Sequence, residues 1–175
     1  MLHTPRLLIA PLTKSDFTDI HYKNCFPEVA EFTTIGIPKN IEVTETFPQP
    51  LFEPQQVEQV QQLGWSIRLK ENNTFIGELG MRLTTPKYNK GEIHYSLIPE
   101  FWNKGFATEA VQAILKHGFE TLNLHRIEAG VATQNLNSIK LLEKVDMTGE
   151  GLHRKILPIR REWVDNYSYA ILEED

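Results

Sequence analysis

Lys104 and Gly105 stand in the stretch P-E-F-W-N-K-G-F-A-T-E-A, Pro99 to Ala110, whose residue types suit a phosphate grip. The run Glu92-Ile93-His94-Tyr95-Ser96-Leu97-Ile98 before it has strand character, and a helical pattern follows at once. Amides of a first helical turn have no partner inside the helix, and the helix dipole favours an anion beside them. Gly105 lets main chain approach a ligand with no Cβ in the way, and Lys104 adds a mobile positive charge. A phosphorylated cofactor is the expected ligand. A glycine at a strand-to-helix turn also serves a plain tight turn, so the surrounding residues must decide.

They do so as a pattern. The spacing W-x-x-G-x-A from Trp102 through Gly105 to Ala107 resembles the acetyl-CoA pyrophosphate loop of the GNAT N-acetyltransferases. A tryptophan followed by K-G-F-A-T-E-A is similar to the RimJ/RimL branch, the ribosomal-protein N-terminal acetyltransferases and their relatives. That branch usually has Gly where Asn103 stands, and Asn tolerates left-handed backbone better than other non-glycine residues. The resemblance extends to the opening R-L-x-I, to F-I-G-E-L-G, and to N-x-x-S-x-x-L-L-E-K from Asn135 to Lys144, and so covers nearly the whole chain.

The resemblance implies acetyl-CoA as acetyl donor and no metal. It places the pantetheine arm beside Tyr95, Ser96, Leu97 and Ile98. It places the pyrophosphate on the amides of Asn103, Lys104, Gly105, Phe106, Ala107 and Thr108, next to Trp102. Charge-assisted bonds to backbone N–H groups contribute about 1.5–3 kcal/mol each, enough for micromolar binding with three or four of them.

Acetyl transfer to an amine requires a neutral amine, a polarised carbonyl and a proton or hydrogen-bond donor for the leaving thiolate. Polarisation is expected from a backbone N–H of a central strand. Ser138 is the first choice for the donor, because relatives use the serine of this N-x-x-S segment near the sulfur; alternatively it only satisfies the helix start. Asn135 is expected both to cap that helix and to touch the cofactor. Glu92 and His94 share one face of a strand, and either could serve as base, as could Glu162 in a late hairpin; each is also an ordinary surface side chain. The other histidines, His3, His21, His117, His125 and His153, lack metal-ligand spacing.

The elements that must position these residues follow from periodicity. Arg6–Ala10 reads as a strand, and Thr13-Lys14-Ser15-Asp16 as a helix start carrying Phe17 and Ile20 on one face. Residues 35 to 54 hold four prolines and read as a loop with short helical pieces, followed by a helix over Gln55–Leu63. Trp65–Leu69, Phe75–Met81 and Glu92–Ile98 read as an antiparallel meander. A helix then follows with Ala107, Ala110, Val111, Ile114, Leu115 and Phe119 along one face. Arg126–Val131 completes a β-α-β unit, Asn135–Val145 is a second helix, and Leu152–Leu157 with Tyr167–Leu172 form a hairpin. Where relatives end the N-x-x-S helix with Gly-Phe, this chain has Val145-Asp146-Met147, placing Asp146 at a left-handed cap. The order is that of an α/β (α+β) GNAT acyl-CoA N-acyltransferase fold: a mixed, mainly antiparallel sheet flanked by helices, its central strands splayed.

Composition sets the outer bounds. A chain of 175 residues with 41% hydrophobic and 23% charged residues is expected to form one domain spanning 1–175. The net charge of −5 argues against direct nucleic-acid binding. Cys25 is the only cysteine, so no intrachain disulfide and no cysteine-rich zinc site can form. No apolar run approaches the ~20 residues of a membrane span, and Met1–Arg6 does not read as a signal peptide, so a cytoplasmic protein is expected. The acceptor amine is a protein N-terminus or a small amine such as an amino acid, polyamine or antibiotic, and the protein a monomer or homodimer. A non-catalytic coenzyme A-binding module is the rival class. A nucleotide-binding α/β protein is disfavoured, since neither G-x-x-x-x-G-K-[ST] nor G-x-G-x-x-G occurs.

Overall fold

The computed structural model describes residues 1–46 and 61–175. Their strands are β1 (Leu2–His3), β2 (Leu7–Pro11), β3 (Gln61–Leu69), β4 (Phe75–Leu83), β5 (Lys90–Leu97), β6 (Arg126–Ala132), β7 (Thr148–Ile159) and β8 (Glu162–Leu172). The α-helices are α1 (Phe17–Asn24), α2 (Pro27–Ala30), α3 (Ile41–Thr46), α4 (Phe106–Glu120) and α5 (Leu136–Lys144). The strands form one sheet in the order β1-β2-β3-β4-β5-β6-β8-β7. Every neighbouring pair is antiparallel except β5 with β6, whose parallel pairing needs the α4 crossover.

Strict alternation divides the sheet faces. Leu79 and Met81 of β4 and Ile93 and Leu97 of β5 pack with Val111, Ile114 and Leu115 of α4 in the main core. Each such fully buried aliphatic side chain contributes about 1.5–3 kcal/mol. Glu78 and Gly80 of β4 and His94 of β5 point the other way, toward the face where α1 lies. On that side Phe17 and Ile20 of α1 make a smaller cluster with Phe75 and Ile98.

The registered pairing of β5 with β6 runs from Lys90↔Arg126 to Glu92↔Glu128 and stops there. Ile93–Leu97 and Ala129–Ala132 remain strand but no longer pair with each other, so a wedge opens between them. The closed end of the wedge is pinned by charge. Lys90 Nζ lies 2.8 Å from Glu128 Oε2, and Arg126 Nε lies 2.8 Å from Glu128 Oε1. Burial works to raise the Glu128 pKa, but the bonds from Lys90 and Arg126 outweigh it and hold the carboxyl below its ordinary value.

Two of the expected elements differ in the structure, and a third agrees. The helix expected over Gln55–Leu63 lies partly outside the described residues, and Gln61–Leu63 begin β3 instead, paired with Leu83–Met81 of β4. Long pairing along β4 overrides local helical preference there. The late hairpin is longer than Leu152–Leu157 and Tyr167–Leu172, because Arg160 and Arg161 form a two-residue turn with φ of 51° and 68°. Two arginines in a turn that normally calls for Asn-Gly hide it from sequence inspection. The loop read over 35–54 contains α3, one of the short helical pieces expected of it; residues 47–54 lie outside the described region.

Candidate active site

The phosphate-type loop joins β5 to α4 and is braced from a distance. Asn103 and Gly105 both adopt left-handed backbone, φ 58° and 79°, and Gly105 caps α4. A Cβ on Gly105 would lie 3.3 Å from Arg6 Nη2. Arg6 holds this loop: Nη1 donates to the Lys104 carbonyl at 2.9 Å, Nε pairs with Glu109 at 2.7 Å, and the guanidinium stacks 4.4 Å over Phe106. Burial works to raise the Glu109 pKa, but bonds from Thr4, the Arg6 amide and the Arg6 guanidinium outweigh it and hold it low. Lys104 is exposed, with Nζ 5.6 Å from the Phe101 ring centroid. Ala107 packs on the core, and Thr108 stands in the first turn of α4. Trp102 donates its indole N–H to the Leu97 carbonyl at 2.8 Å, fixing the loop to the end of β5.

The main chain of β5 divides by alternation. Ile98 N–H donates to Ile76 at 2.9 Å, so Ile98 and Ser96 turn their main-chain groups to β4. Those of Tyr95 and Leu97 face the wedge. Of Tyr95, Ser96, Leu97 and Ile98, these two turn their main chain away from β4, the Leu97 carbonyl being held by the Trp102 indole.

At α5, Asn135 Oδ1 accepts from Ser138 N–H at 3.1 Å, as expected of an N-cap. Ser138 Oγ lies 2.6 Å from Tyr95 Oη. This contact joins α5 to β5 on the α4–α5 side of the sheet. Burial pushes the Tyr95 phenol up to about 12, the Ser138 bond partly opposing it, so the phenol keeps its proton at neutral pH.

His94, next along β5, projects to the opposite face. Its ring lies across Gly80 of β4: a Cβ added there would be 2.3 Å from His94 Cε1. The residue is open at the surface, but its imidazole is crowded by neighbours, and this desolvation lowers its pKa; Lys23 pushes the same way, while Glu78 and Glu92 oppose. His94 is therefore neutral at pH 7 and able to accept a proton. Glu92 is exposed on the same face at the closed end of the wedge. Glu162 is not brought to this group; it stands at the hairpin tip with Lys155 and Trp163 around a shallow hollow.

Sequence reasoning missed the Tyr95 hydroxyl, the brace from Arg6, and Lys23 with Glu78. Arg6 lies in the noted R-L-x-I, but nothing local points it at a loop a hundred residues away. A concavity of about 590 Å³, lined by Tyr22, Arg68, Phe75, Ile98 and Phe101 among others, holds none of Ser138, Tyr95 or His94. Ser138 with Tyr95, and His94, stand on opposite faces of β5 along the stretch that has left β6. Elsewhere His21 Nδ1 bonds Thr44 Oγ1 at 2.7 Å, and His125 lies beside Glu173 and Glu174 on the surface. Among the described residues, no helix is long and apolar enough to cross a membrane.

The family model of the acetyltransferase (GNAT) domain matches residues 6–148. YnaD of Bacillus subtilis, described as an uncharacterized N-acetyltransferase, is 46% identical over 84 residues. That match covers 48% of this chain and spans about half, 49%, of that relative. A GNAT-family acetyltransferase structure from Bacillus anthracis superposes with TM-score 0.86 at 30% identity, covering 99% of each chain. Spermidine N-acetyltransferase from Vibrio cholerae, solved with CoA and spermine, shares the fold with TM-score 0.85 at 20% identity and 98% coverage of both chains.

Proposed function

This chain belongs to the GNAT acetyltransferase family, and from that membership we propose that it transfers acetyl from acetyl-CoA to a primary amine, most readily a peptide or protein N-terminal α-amine. The observation that carries the reading is the parting of β5 from β6 after Glu92, with His94 on one face of β5 and Tyr95–Ser138 on the other. The left-handed loop at Asn103–Gly105 and the start of α4 fit a pyrophosphate, in the place where a Cβ on Gly105 would crowd Arg6.

Acetyl-CoA, when bound, supplies an acetyl thioester whose carbonyl carbon an amine can attack. The amides of Asn103 to Thr108 would hold its phosphates, the main chain of Tyr95 and Leu97 its pantetheine arm, and Asn135 and Ser138 its thiol end. His94, with Glu92 as the alternative, accepts the proton from the incoming ammonium. Ser138 Oγ, backed by Tyr95 Oη, gives a hydrogen bond or proton to the departing sulfur.

The preference for α-amines follows from proton accounting and from the RimJ/RimL-like W-N-K-G-F-A-T-E-A loop. An α-amine of pKa about 7.7–8.0 is roughly a tenth neutral at pH 7, whereas a lysine amine near 10.4 is neutral about four times in ten thousand. A site whose base is a weakly basic imidazole suits the former. A small polyamine is the second reading, favoured by Glu78, Glu92 and Glu128 on one face of the sheet; the Vibrio cholerae relative was solved with such a ligand. Thiol release from acetyl-CoA against a panel of free-amine peptides, amino acids and spermidine tests the proposal. Coenzyme A binding with neither thiol release nor acetylated product for any acceptor would reduce the protein to a coenzyme A-binding module.

A further inference from the structure

Lys23 of α1 is only 2% exposed, and its ammonium lies 3.2 Å from Glu78 Oε1 of β4. Taking two charges out of water is costly, and their attraction repays it only when the remaining polar atoms are also satisfied. Glu78 Oε2 is not: it is buried and has no hydrogen-bond partner among the described residues. A buried carboxylate oxygen left unpaired is costly, because it has given up its water without gaining a partner. A strut built only to tie α1 to β4 would be better closed.

The surroundings say what the open oxygen is for. Glu78 and Gly80 alternate onto the α1 face of β4, and the missing side chain at Gly80 lets the His94 ring lie against that strand. His94 is the first residue on this face past Glu92, where β5 leaves β6. The groups that act on the imidazole are Lys23 from α1, Glu78 from β4 and Glu92 from its own strand. Glu78 and His94 thus stand together beside the wedge, across β5 from the Tyr95–Ser138 pair.

We propose that Glu78 is the acceptor anchor: its Oε2 takes a hydrogen bond from the substrate's ammonium and holds that nitrogen beside His94. The inference rests on the acetyl-transfer reading and deepens it by naming the group that recognises a cationic amine. The ammonium gives one proton to the His94 imidazole, and the freed lone pair forms the N–C bond to the acetyl carbon. The C–S bond breaks as Ser138 passes its hydroxyl proton to the departing sulfur and takes up the second amine proton in its place, so the serine ends as it began. Lys23 is a positioning residue, fixing Oε1 so that Oε2 stays free.

The test uses the full chain loaded with CoA, with trialanine bearing a free N-terminus and spermidine as probes. Calorimetry measures binding of each, and steady-state rates with acetyl-CoA separate kcat from KM. Glu78→Gln is expected to weaken amine binding and raise the acceptor KM at least tenfold, leaving the KM for acetyl-CoA unchanged. Because that variant strands the Lys23 charge, Lys23→Met/Glu78→Gln is made alongside, removing both charges, and should show the same loss. Unchanged acceptor affinity in the folded double variant, a fall in kcat alone, or no binding of either amine to the wild type would each overturn the anchor. Acetylation by wild type that is indifferent to Glu78 sinks the anchor and spares the enzyme. Glu78-dependent binding without acetyl transfer sinks the enzyme and spares the anchor.

Discussion

The hydroxyls of Tyr95 on β5 and Ser138 on α5 lie 2.6 Å apart, linking the strand that leaves the sheet pairing to the helix facing it. Two hydroxyls in contact can pass hydrogen-bond donation along, so that Ser138 can point its proton at the sulfur while Tyr95 supports the oxygen left behind. Ser138→Ala is expected to lower kcat ten- to a thousandfold with little change in the KM for acetyl-CoA. Tyr95→Phe should cost less, and the double variant little more than Ser138→Ala, since the two act as one unit. Steady-state kinetics of the three variants checks this; additive losses would separate the roles.

Gly105 adopts φ +79°, which a β-branched residue resists, and a Cβ there would press toward Arg6. Gly105→Val is expected to weaken coenzyme A binding at least tenfold, about 1.4 kcal/mol, in a protein that still folds. Arg6→Ala should weaken it as well, by loosening the Lys104 carbonyl and Glu109 together. Calorimetric titration reads both, and unchanged affinity would move the phosphate site elsewhere.

Asp146 ends α5 with φ 64°, and Met147 N–H closes the cap onto the Leu142 carbonyl at 3.0 Å. The position is exposed, so glycine would relieve backbone strain without losing packing. Asp146→Gly is expected to stabilise the fold by about 0.5–1 kcal/mol in chemical denaturation, with kinetics unchanged.

His94 has its pKa depressed in the folded state, chiefly by desolvation. The unfolded chain therefore takes up the proton first, and stability falls as pH drops below about 6.5 toward the lower folded value. Thermal melts from pH 7.5 to 5 should show this loss in wild type and less of it in His94→Gln. The acid limb of kcat should likewise lie below pH 6.5. A limb above pH 7 would point to a different base.

Much of this was legible in the chain. The Asn103–Gly105 loop, the Asn135 cap with Ser138 at its third residue, and the left-handed Asp146 all depend on neighbours within a few positions, which local pattern records. The wedge is different, because β5 keeps its alternation through Leu97 whether or not β6 stays beside it. The contacts Tyr95–Ser138, Lys23–Glu78 and Arg6–Lys104 join residues far apart in the chain, and no local rule encodes them. The hairpin turn at Arg160-Arg161 was hidden for another reason: its backbone asks for Asn or Gly, and the chain supplies arginine.

The central claim is acetyl transfer to an α-amine at the β5–β6 wedge. Its most direct measurement compares two lysine-containing peptides at pH 7, identical except that one has its α-amine blocked, following acetylated product by mass and thiol release from acetyl-CoA. The account predicts that the free peptide is acetylated on its N-terminus and that blocking removes most of the activity. Equal rates for the blocked peptide, with acetyl on the lysine side chain, would contradict it.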